Sequence, residues 1–327
     1  MGIIKITGAK LLTGSSSITF FSSGMMLRSI ALAFLLLLFT GTPAQTQEKD
    51  APYVPTPANV VDKMLDMANV GPGDYVIDLG CGDGRIVIAA ARRGATGLGV
   101  DIDGKLIRKA RGNAREAGVS DQVMFLRQDL FKTDISGASV VTLYLYPSLM
   151  NKLRPVFTEQ LDPGARIVSH DFDMDDWKSD RHTTVESNKI LSDTLVPLSE
   201  KEIKTFSLLH KKLGQNRPLP LFRHDVYYWE VPAEARGRWK WQANRKAFSM
   251  TVDQSFNKIH TEIQVENTAL TIKSKKLKGE RLTIRAENPE TKTRYLYSGR
   301  IDGDTIEGKI QIRGDDGKRV DKWSAER

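Results

Sequence analysis

Apolar and polar residues follow two different periods between residues 52 and 232. After Thr56-Pro57, apolar residues recur at helical spacing until Gly71-Pro72-Gly73, and a hydroxyl followed by proline predicts a capped helix start. Short apolar runs then alternate with helical stripes. The predicted strands are Tyr75–Leu79, Thr96–Val100, Val123–Leu126, Val140–Tyr144 and Arg166–Ser169, and the next predicted helices are Ile86–Arg92 and Asp103–Gly118. This order predicts an α/β fold with a doubly wound, mostly parallel sheet.

The pattern changes beyond Val231-Pro232, where apolar and polar residues alternate with a period of two. Phe248, Met250 and Val252 show the alternation, and turn signals such as Asp302-Gly303-Asp304 separate further short runs. The other predicted strands are Ile259–Val265, Leu270–Ile272, Leu282–Ile284, Tyr295–Tyr297, Thr305–Ile306 and Ile310–Ile312. Such spacing predicts a small antiparallel barrel or sandwich. We therefore expect three parts: a leader (1–47), the α/β domain (48–232) and an antiparallel β domain (233–327).

The leader has the features of a targeting segment. No acidic residue precedes Glu48, Arg28 comes just before an apolar run from Ile30 to Phe39, and Ala44 ends a small-residue site. This pattern predicts a signal peptide cleaved after Ala44 and hence export to the periplasm. An uncleaved membrane anchor and an organellar presequence are alternatives. Met25 or Met26 is an alternative start.

Composition and charge narrow the possible functions. Cys81 is the single cysteine, so internal disulfides and multi-cysteine metal sites are excluded, and we predict no metal site. The net charge of +8 resides in Arg236–Arg327, which holds 21 Lys+Arg against 13 Asp+Glu. This surplus favours an anionic membrane surface or an acidic partner, or it forms a solvated face. We predict no nucleic-acid binding, because no arginine-rich block with interleaved aromatics occurs.

Candidate ligand-binding residues follow three successive predicted strands. The loop Gly80-Cys81-Gly82-Asp83-Gly84 follows the first strand, Asp101 the second and Asp129 the third. The carboxyl ends of parallel strands share one edge of the sheet, where ligands bind. Glycines allow close backbone approach, and Asp101 lies 21 residues after Gly80, the spacing of a ribose-binding carboxylate. Arg85 occupies the position where a dinucleotide fingerprint requires glycine or alanine.

Asp78 and the glycine loop resemble the Asp-Leu-Gly-x-Gly-x-Gly motif of class I methyltransferases that use S-adenosylmethionine, over residues 53–172. The resemblance implies a Rossmann-like methyltransferase sheet and S-adenosyl-L-methionine as cofactor. It places the methionine part of the cofactor near Asp78, the ribose near Asp101 and the adenine near Asp129. The implied cofactor-binding set is Asp78, Gly80, Cys81, Gly82, Asp101, Ile102, Asp129 and Leu130.

Three further stretches resemble a smaller family. Pro52–Pro57, Val140–Leu145 and Ser169-His170 are similar to the lysine methyltransferases that modify the ATP synthase c subunit and the adenine nucleotide translocase. This likeness implies a protein substrate modified on lysine. The family's N-terminal hydrophobic anchor is similar to the Ile30–Phe39 run. The C-terminal β domain departs from the mitochondrial members and leaves the substrate open.

Methyl transfer to lysine requires an aligned, deprotonated amine. The candidate catalytic residues are Tyr53, Tyr144, Tyr146 and His170, with Asp171 beside them. Aromatic ring faces attract the lysine cation. Methyltransferases of planar amines carry Asn-Pro-Pro-Tyr where this chain has Tyr144-Leu145-Tyr146-Pro147, which argues against a nucleobase or glutamine target. Tyr144 is alternatively a core residue and His170 a structural hydrogen-bonding group. A small-molecule methyltransferase, or a non-catalytic exported binding protein on this scaffold, also remains open.

Overall fold

The computed structural model describes residues 53–188, 221–315 and 317–327. The predicted leader, with its signal peptide or membrane anchor, lies outside the described residues. No helix in the described ranges is long and apolar enough to span a membrane. The described residues form one compact unit.

Seven strands form the first sheet, in the order β3-β2-β1-β4-β5-β7-β6. They are β1 (Tyr75–Leu79), β2 (Thr96–Asp101), β3 (Val123–Arg127), β4 (Val140–Leu143), β5 (Arg166–His170), β6 (Arg181–Asn188) and β7 (Leu221–Glu230). The first five strands are parallel, and β7 runs antiparallel between β5 and β6. The predicted doubly wound, mostly parallel sheet is confirmed. The strand order reverses between β1 and β4, so their carboxyl ends border a crevice.

Helices cover both faces of this sheet. They are α1 (Ala58–Met67), α2 (Arg85–Ala91), α3 (Gly104–Glu116) and α4 (Pro147–Gln160), and a 3-10 turn spans Leu130–Lys132. The apolar stripe of α1 buries Val60, Met64 and Leu65 in one core cluster, whereas α4 buries Leu153 and Phe157 in another. Each such burial contributes about 1.5–3 kcal/mol. The helices α1, α2 and α3 agree with the predicted ones, whereas α4 was not predicted.

The predicted capping role of Thr56 is wrong. The residue before the first turn of α1 is Pro57, and α1 has no side-chain cap. The Thr56 hydroxyl is instead 3.1 Å from Nδ1 of His170, a residue 114 positions away. A hydroxyl next to a proline fits the local capping pattern, but here the hydroxyl forms a hydrogen bond with a residue that is distant in the sequence.

The second sheet is antiparallel and has nine strands, in the order β11-β10-β9-β8-β16-β15-β14-β13-β12. These are β8 (Gly237–Ala243), β9 (Lys246–Ser255), β10 (Lys258–Val265), β11 (Thr268–Ala269), β12 (Thr271–Lys278), β13 (Arg281–Glu287), β14 (Arg294–Asp302), β15 (Thr305–Gly314) and β16 (Gly317–Glu326). The sheet curls until its two ends meet, where the N–H of Leu270 donates to the carbonyl of Ile263. The predicted barrel-like β domain is therefore confirmed as a single, nearly closed sheet.

Aromatic side chains fill the interior of this curled sheet. Trp241 lies 5.4 Å from Tyr297 and 5.8 Å from Trp323 between ring centroids, and Phe248 stacks on it at 5.3 Å. Alternation along each strand places these rings inside and charged residues outside. Large rings bury much apolar area in a small domain.

Several strands differ from the prediction. Thr305–Ile306 and Ile310–Ile312 belong to one strand, β15, because Gly308 pairs with Gly299 and the ladder continues between them. The prediction missed β6, β7, β8, β11 and β16. In β16 the apolar alternation is hidden by charged residues, since only Trp323 and Ala325 of that strand are buried.

The two sheets meet next to the predicted domain boundary, which falls between β7 and β8. The rings of Trp177 and Phe256 stack at 5.0 Å, and Arg154 lies 5.5 Å from the Phe256 ring. The Asn257 amide donates to the carbonyl of Lys178 (2.9 Å). The turn between β9 and β10 thus packs against the first sheet's unit.

Candidate functional site

The glycine loop joins β1 to α2 at the crevice. Gly80, Gly82 and Gly84 have φ values of 86°, 54° and 81°, which favour glycine. Asp101, at the end of β2, accepts hydrogen bonds from the N–H of Gly82 (3.0 Å) and of Asp103 (2.8 Å). It therefore holds the loop and the start of α3 together. Asp103 caps α3, because its side chain accepts from Lys105 N–H (2.8 Å).

The predicted cofactor-binding residues after β2 and β3 also form hydrogen bonds that hold the local backbone. One Asp129 oxygen accepts from the N–H of Phe131 (3.0 Å), which stabilises the 3-10 turn that begins at Leu130. The carbonyl of Ile102 accepts from Arg127 Nε (3.1 Å). Because each carboxylate oxygen has two lone pairs, one backbone bond leaves acceptor capacity for a ligand.

Asp78 lies beneath the loop rather than in the crevice. Its side chain is 2% exposed and accepts a 2.7 Å hydrogen bond from the Thr142 hydroxyl of β4. Burial raises the pKa of Asp78 to about 7, assisted by the charges of Asp101 and Asp83. Its predicted contact with the methionine part of the cofactor stays a prediction.

Cys81 is a packing residue of the loop. It is buried, and burial raises the pKa of its thiol well above the usual value. A Cβ added to Gly99 would lie 2.8 Å from its sulfur. A buried thiol with a raised pKa is a poor nucleophile, so a small apolar role explains Cys81.

Tyr53 lies over the glycine loop. A Cβ on Gly82 would collide with its ring, so glycine is required at that contact. Burial and the charge of Asp83 raise the pKa of Tyr53 to about 12. Lys109 places its ammonium 5.9 Å from the centre of the same ring. The ring therefore already attracts one lysine cation.

Tyr144 follows β4 and meets the end of β5. Its ring lies 3.9 Å from that of His170, and its hydroxyl is 3.3 Å from Asp171 Oδ2. Burial and the Asp171 charge raise the pKa of Tyr144 to about 12. Tyr146 is 43% exposed and meets the edge of Phe172 at 5.8 Å. Tyr144, Tyr146 and Phe172 thus form an aromatic wall beside Asp171.

His170 is fully buried, and each of its ring nitrogens has a hydrogen-bond partner. Its Nδ1 faces the Thr56 hydroxyl at 3.1 Å, and its Nε2 is 2.9 Å from His224 Nδ1. Burial lowers the pKa of His170 to about 4, although the Asp171 charge opposes this effect. The imidazole is therefore neutral near pH 7 and is held in one orientation.

His224 is a site residue that sequence reasoning missed. It lies on β7, and its Nδ1 is 3.5 Å from Asp171 Oδ2 as well as 2.9 Å from His170. The antiparallel register of β5 and β7, with His170 opposite Val226, brings it to the site. No local motif marks it, because the strand pairing alone places it there.

Arg85 connects the loop to this histidine pair. It binds both oxygens of Asp83 (2.9 and 2.8 Å) and donates to the carbonyl of Thr56 (2.8 Å). Thr56 in turn contacts His170 through its hydroxyl. A continuous chain of contacts therefore runs from the glycine loop to the wall at Asp171.

One group of the described residues could hold a metal ion, although we predicted no metal site. A nitrogen of His170, a nitrogen of His224 and an oxygen of Asp171 all lie within 4.8 Å of one another. Two imidazoles and a carboxylate suit several divalent metals. His170 Nε2 and His224 Nδ1 already form a 2.9 Å hydrogen bond, and Asp171 Oδ2 lies 3.4 and 3.5 Å from them, so these contacts need no metal to explain them.

Comparisons with known proteins agree with this geometry. A sequence model of the ANTKMT methyltransferase domain matches residues 78–181. The chain is 40% identical over 141 residues to a protein-lysine N-methyltransferase of Saccharolobus islandicus, covering 42% of this chain and 88% of that protein. It is 34% identical over 157 residues to the mouse adenine nucleotide translocase lysine N-methyltransferase, covering 48% and 67%.

Among solved structures, one titled an RNA methyltransferase from Salinibacter ruber in complex with S-adenosyl-L-homocysteine is 47% identical, with a TM-score of 0.43. The match covers 55% of this chain and 95% of the Salinibacter ruber chain. The Saccharolobus islandicus protein is matched along most of its length. This chain is a methyltransferase, and it belongs to the family that includes these relatives named as lysine N-methyltransferases.

Proposed function

We propose that this protein is an S-adenosylmethionine-dependent protein-lysine N-methyltransferase. The observation that carries the proposal is the wall of Tyr144, Tyr146 and Phe172 with the Asp171 carboxylate beside it, one strand from the glycine loop. An aromatic wall with an adjacent carboxylate suits a long, cationic side chain such as lysine. The names of the relatives support the same substrate class.

The cofactor is S-adenosylmethionine, and the hydrogen-bond acceptors of the site fit it. The carboxylates of Asp101 and Asp129 can accept from the ribose hydroxyls and the adenine amine, respectively. When bound, the cofactor supplies an electrophilic methyl group on a sulfonium. The protein's part is to align the amine with that methyl group and to exclude water. Leu145 packs against the glycine loop, since a Cβ on Gly80 would lie 3.2 Å from its side chain.

The wall would bind the substrate lysine and Asp171 would receive its proton. Lysine has a pKa near 10.4 in water, so an ammonium must lose a proton before it can attack. Asp171 Oδ2 faces the Tyr144 hydroxyl at 3.3 Å and the two histidines at 3.4 and 3.5 Å. His224 is 16% exposed and can pass a proton from Asp171 toward solvent. His170, buried and neutral, orients His224.

Methyl transfer to protein is the direct test. The full chain is incubated with tritiated S-adenosylmethionine and a cellular protein extract, and hydrolysates are analysed for methylated lysine. Asp171→Asn and Tyr144→Phe should each lower the rate, the former by about a hundredfold, because it removes the proton acceptor. Asp121→Asn, an exposed aspartate, is the matched control. Label found in RNA, or on residues other than lysine, would refute the lysine proposal.

Cofactor binding is measured separately by calorimetric titration with S-adenosylhomocysteine. Asp101→Asn should weaken binding about tenfold to a hundredfold, since a hydrogen bond to a charged group contributes about 1.5–3 kcal/mol. Asp121→Asn should leave the affinity unchanged. Binding without transfer to lysine would retain the cofactor site and reject the substrate class.

We also propose that the leader directs the protein to the periplasm or anchors it in a membrane, an expectation that rests on Arg28, Ile30–Phe39 and Ala44. Fractionation of cells that express the full chain with a C-terminal tag, followed by N-terminal sequencing, tests it. A mature N-terminus at Gln45 is expected for cleavage. An intact N-terminus in the soluble cytoplasmic fraction would reject both forms of the proposal.

A further inference from the structure

The outer face of the second sheet carries a basic cleft. It has a volume of about 400 Å³ and lies across the neighbouring strands β12 to β16. Five cations line it: Lys273, Arg285, Arg294, Arg313 and Lys318. Glu287 is the one carboxylate among its lining residues.

The strand register lines up like charges in this basic cleft. Glu287 pairs with Arg294, Arg294 pairs with Arg313, and Arg313 pairs with Lys318 on successive strands. Like charges directly opposite each other destabilise a sheet. Glu287 contacts Lys273 (3.7 Å) and Arg294 (3.4 Å), so it offsets only one end of this row.

Arg313 and Lys318, at the other end of the row, are exposed, and so is Arg285 in the next row along the strands. No carboxylate of residues 53–188, 221–315 or 317–327 lies within salt-bridge distance of these three side chains. Three unpaired cations in a concave site, two of them opposed in register, form a site that an anionic group from outside would stabilise.

A second row of residues, two of which are apolar, adjoins the cationic row. Two residues along the strands, Arg285 pairs with Leu296, Leu296 with Gln311, and Gln311 with Val320. Val320 is 51% exposed. Rows two residues apart in a sheet are about 7 Å apart, which is also the spacing of side chains i and i+2 in an extended peptide.

We propose that the basic cleft binds an extended, acidic peptide segment of a partner protein. A carboxylate of that segment lies over Arg294, Arg313 and Lys318, and an apolar side chain two residues away lies over Leu296 and Val320. The proposal concerns a binding surface of the second sheet and does not rest on the proposed methyl transfer.

The surroundings of the cleft disfavour other anionic partners. Nucleic-acid strands need exposed aromatic rings for stacking, whereas Tyr295, the aromatic residue in the lining, is 7% exposed. Membrane association needs several projecting apolar residues. Among described residues of the second sheet, Val320 is the only large apolar side chain that is exposed to this degree.

Fluorescence anisotropy with the full chain tests the proposal. The probe is a labelled peptide that repeats Glu-Ser-Leu-Ser, so glutamate and leucine alternate on one face. The triple variant R294Q/R313Q/K318Q should weaken binding at least tenfold. The matched control K240Q/K246Q/K258Q removes the same charge from exposed lysines outside the cleft that face no other cation in the strand register, and it should bind as the parent does.

A second measurement separates binding from misfolding. The cleft variant should melt at the parent's temperature or above it, because it removes two like-charge pairs at the cost of the single contact between Arg294 and Glu287, and the control variant should melt as the parent does. Equal weakening in both triple variants would show general basicity and overturn the proposal. So would undiminished binding of a peptide with serine in place of leucine, tighter cleft-dependent binding of anionic vesicles or RNA, or no peptide binding at all.

Discussion

Burial decides what each carboxylate of the site can do. Asp78 is enclosed beneath the glycine loop and has a pKa raised to about 7. Asp83 is also largely enclosed, yet its pKa is lowered, because the Arg85 guanidinium outweighs the effect of burial. Two acids of one loop thus carry different charge near neutral pH, and the paired one anchors the contacts that lead to Thr56 and His170.

A pH-dependent stability follows from His170. Its folded pKa of about 4 lies below the unfolded value of about 6.5. The unfolded state therefore binds the proton first, and stability is lost as the pH falls from about 6.5 to 4. The loss is about 3 kcal/mol, because the pKa of His170 is about 4 in the folded state and about 6.5 in the unfolded state. His170→Gln should lose much less over this interval in urea titrations followed by tryptophan fluorescence.

The control for this prediction is His260→Gln. His260 is exposed and lies on β10 of the second sheet. This variant should keep the parent's dependence on pH. If the unfolding free energy of His170→Gln falls as steeply with pH as that of the parent, His170 is not held neutral in the folded protein.

Tyr297 offers a second prediction at the residue scale. Its hydroxyl is buried and has no hydrogen-bond partner among the described residues. An unpaired buried polar group costs about 1–3 kcal/mol, so Tyr297→Phe should leave the unfolding free energy unchanged or raise it by about 1 kcal/mol. Tyr228→Phe removes a hydroxyl that contacts Glu230 and should lower it. A clear loss in Tyr297→Phe would show that the hydroxyl has a partner.

At the scale of elements, β2 allows the close packing around the loop. Gly99 faces Phe125 and Cys81 so closely that an added Cβ would lie 2.6 Å from the Phe125 ring. This contact lets β3 and the glycine loop approach β2 from opposite sides. The absence of a side chain at Gly99 therefore helps to position Asp101, two residues later on β2.

Replacing glycine by alanine should change the unfolding free energy in opposite directions on β2 and on α3. Gly99→Ala should lower the unfolding free energy by about 1–3 kcal/mol through overpacking. Gly112→Ala, in the middle of α3, meets only the end of Arg115 at 3.9 Å and should raise it by about 0.5–1 kcal/mol. Chemical denaturation measures both. A neutral Gly99→Ala would show that β2 and β3 can separate without cost.

At the scale of the whole molecule, the turn between β9 and β10 joins the two sheets. Phe256 stacks on the fully buried Trp177, and the Trp177 carbonyl accepts from the Trp229 indole (2.7 Å) of β7. Lys278 adds an ion pair to Glu230 at 3.2 Å. The second sheet thus covers part of the first sheet's core, which gives the unit a shared stability.

Phe256→Ala tests this shared stability. It should lower the unfolding free energy by about 1–3 kcal/mol, since it removes a partly buried ring and its contacts with Trp177 and Arg154. Phe222→Ala, at a 42% exposed ring, should cost much less. Calorimetry should show one transition for the parent. Two separate transitions in the parent would mean that the sheets unfold independently.

Much of the first sheet could be predicted because its signals are local. The strands β1 to β5, the loop from Gly80 to Gly84 and the cap at Asp103 each depend on a few neighbouring residues. The polar strands β6 and β16 could not be predicted, since their alternation is weak and partner strands supply their stability. Thr56 was misassigned because a distant imidazole uses its hydroxyl.

The sequence by itself determined the strands β1 to β5, the helices α1 to α3, the glycine loop and the acidic strand ends, because periodicity and backbone freedom act over short distances. Only the tertiary structure brought His224 to His170, 54 residues away, and Thr56 to the same ring. It alone also aligned Arg294, Arg313 and Lys318 in one row. Strand register decides these contacts, and register depends on how whole strands pair and pack.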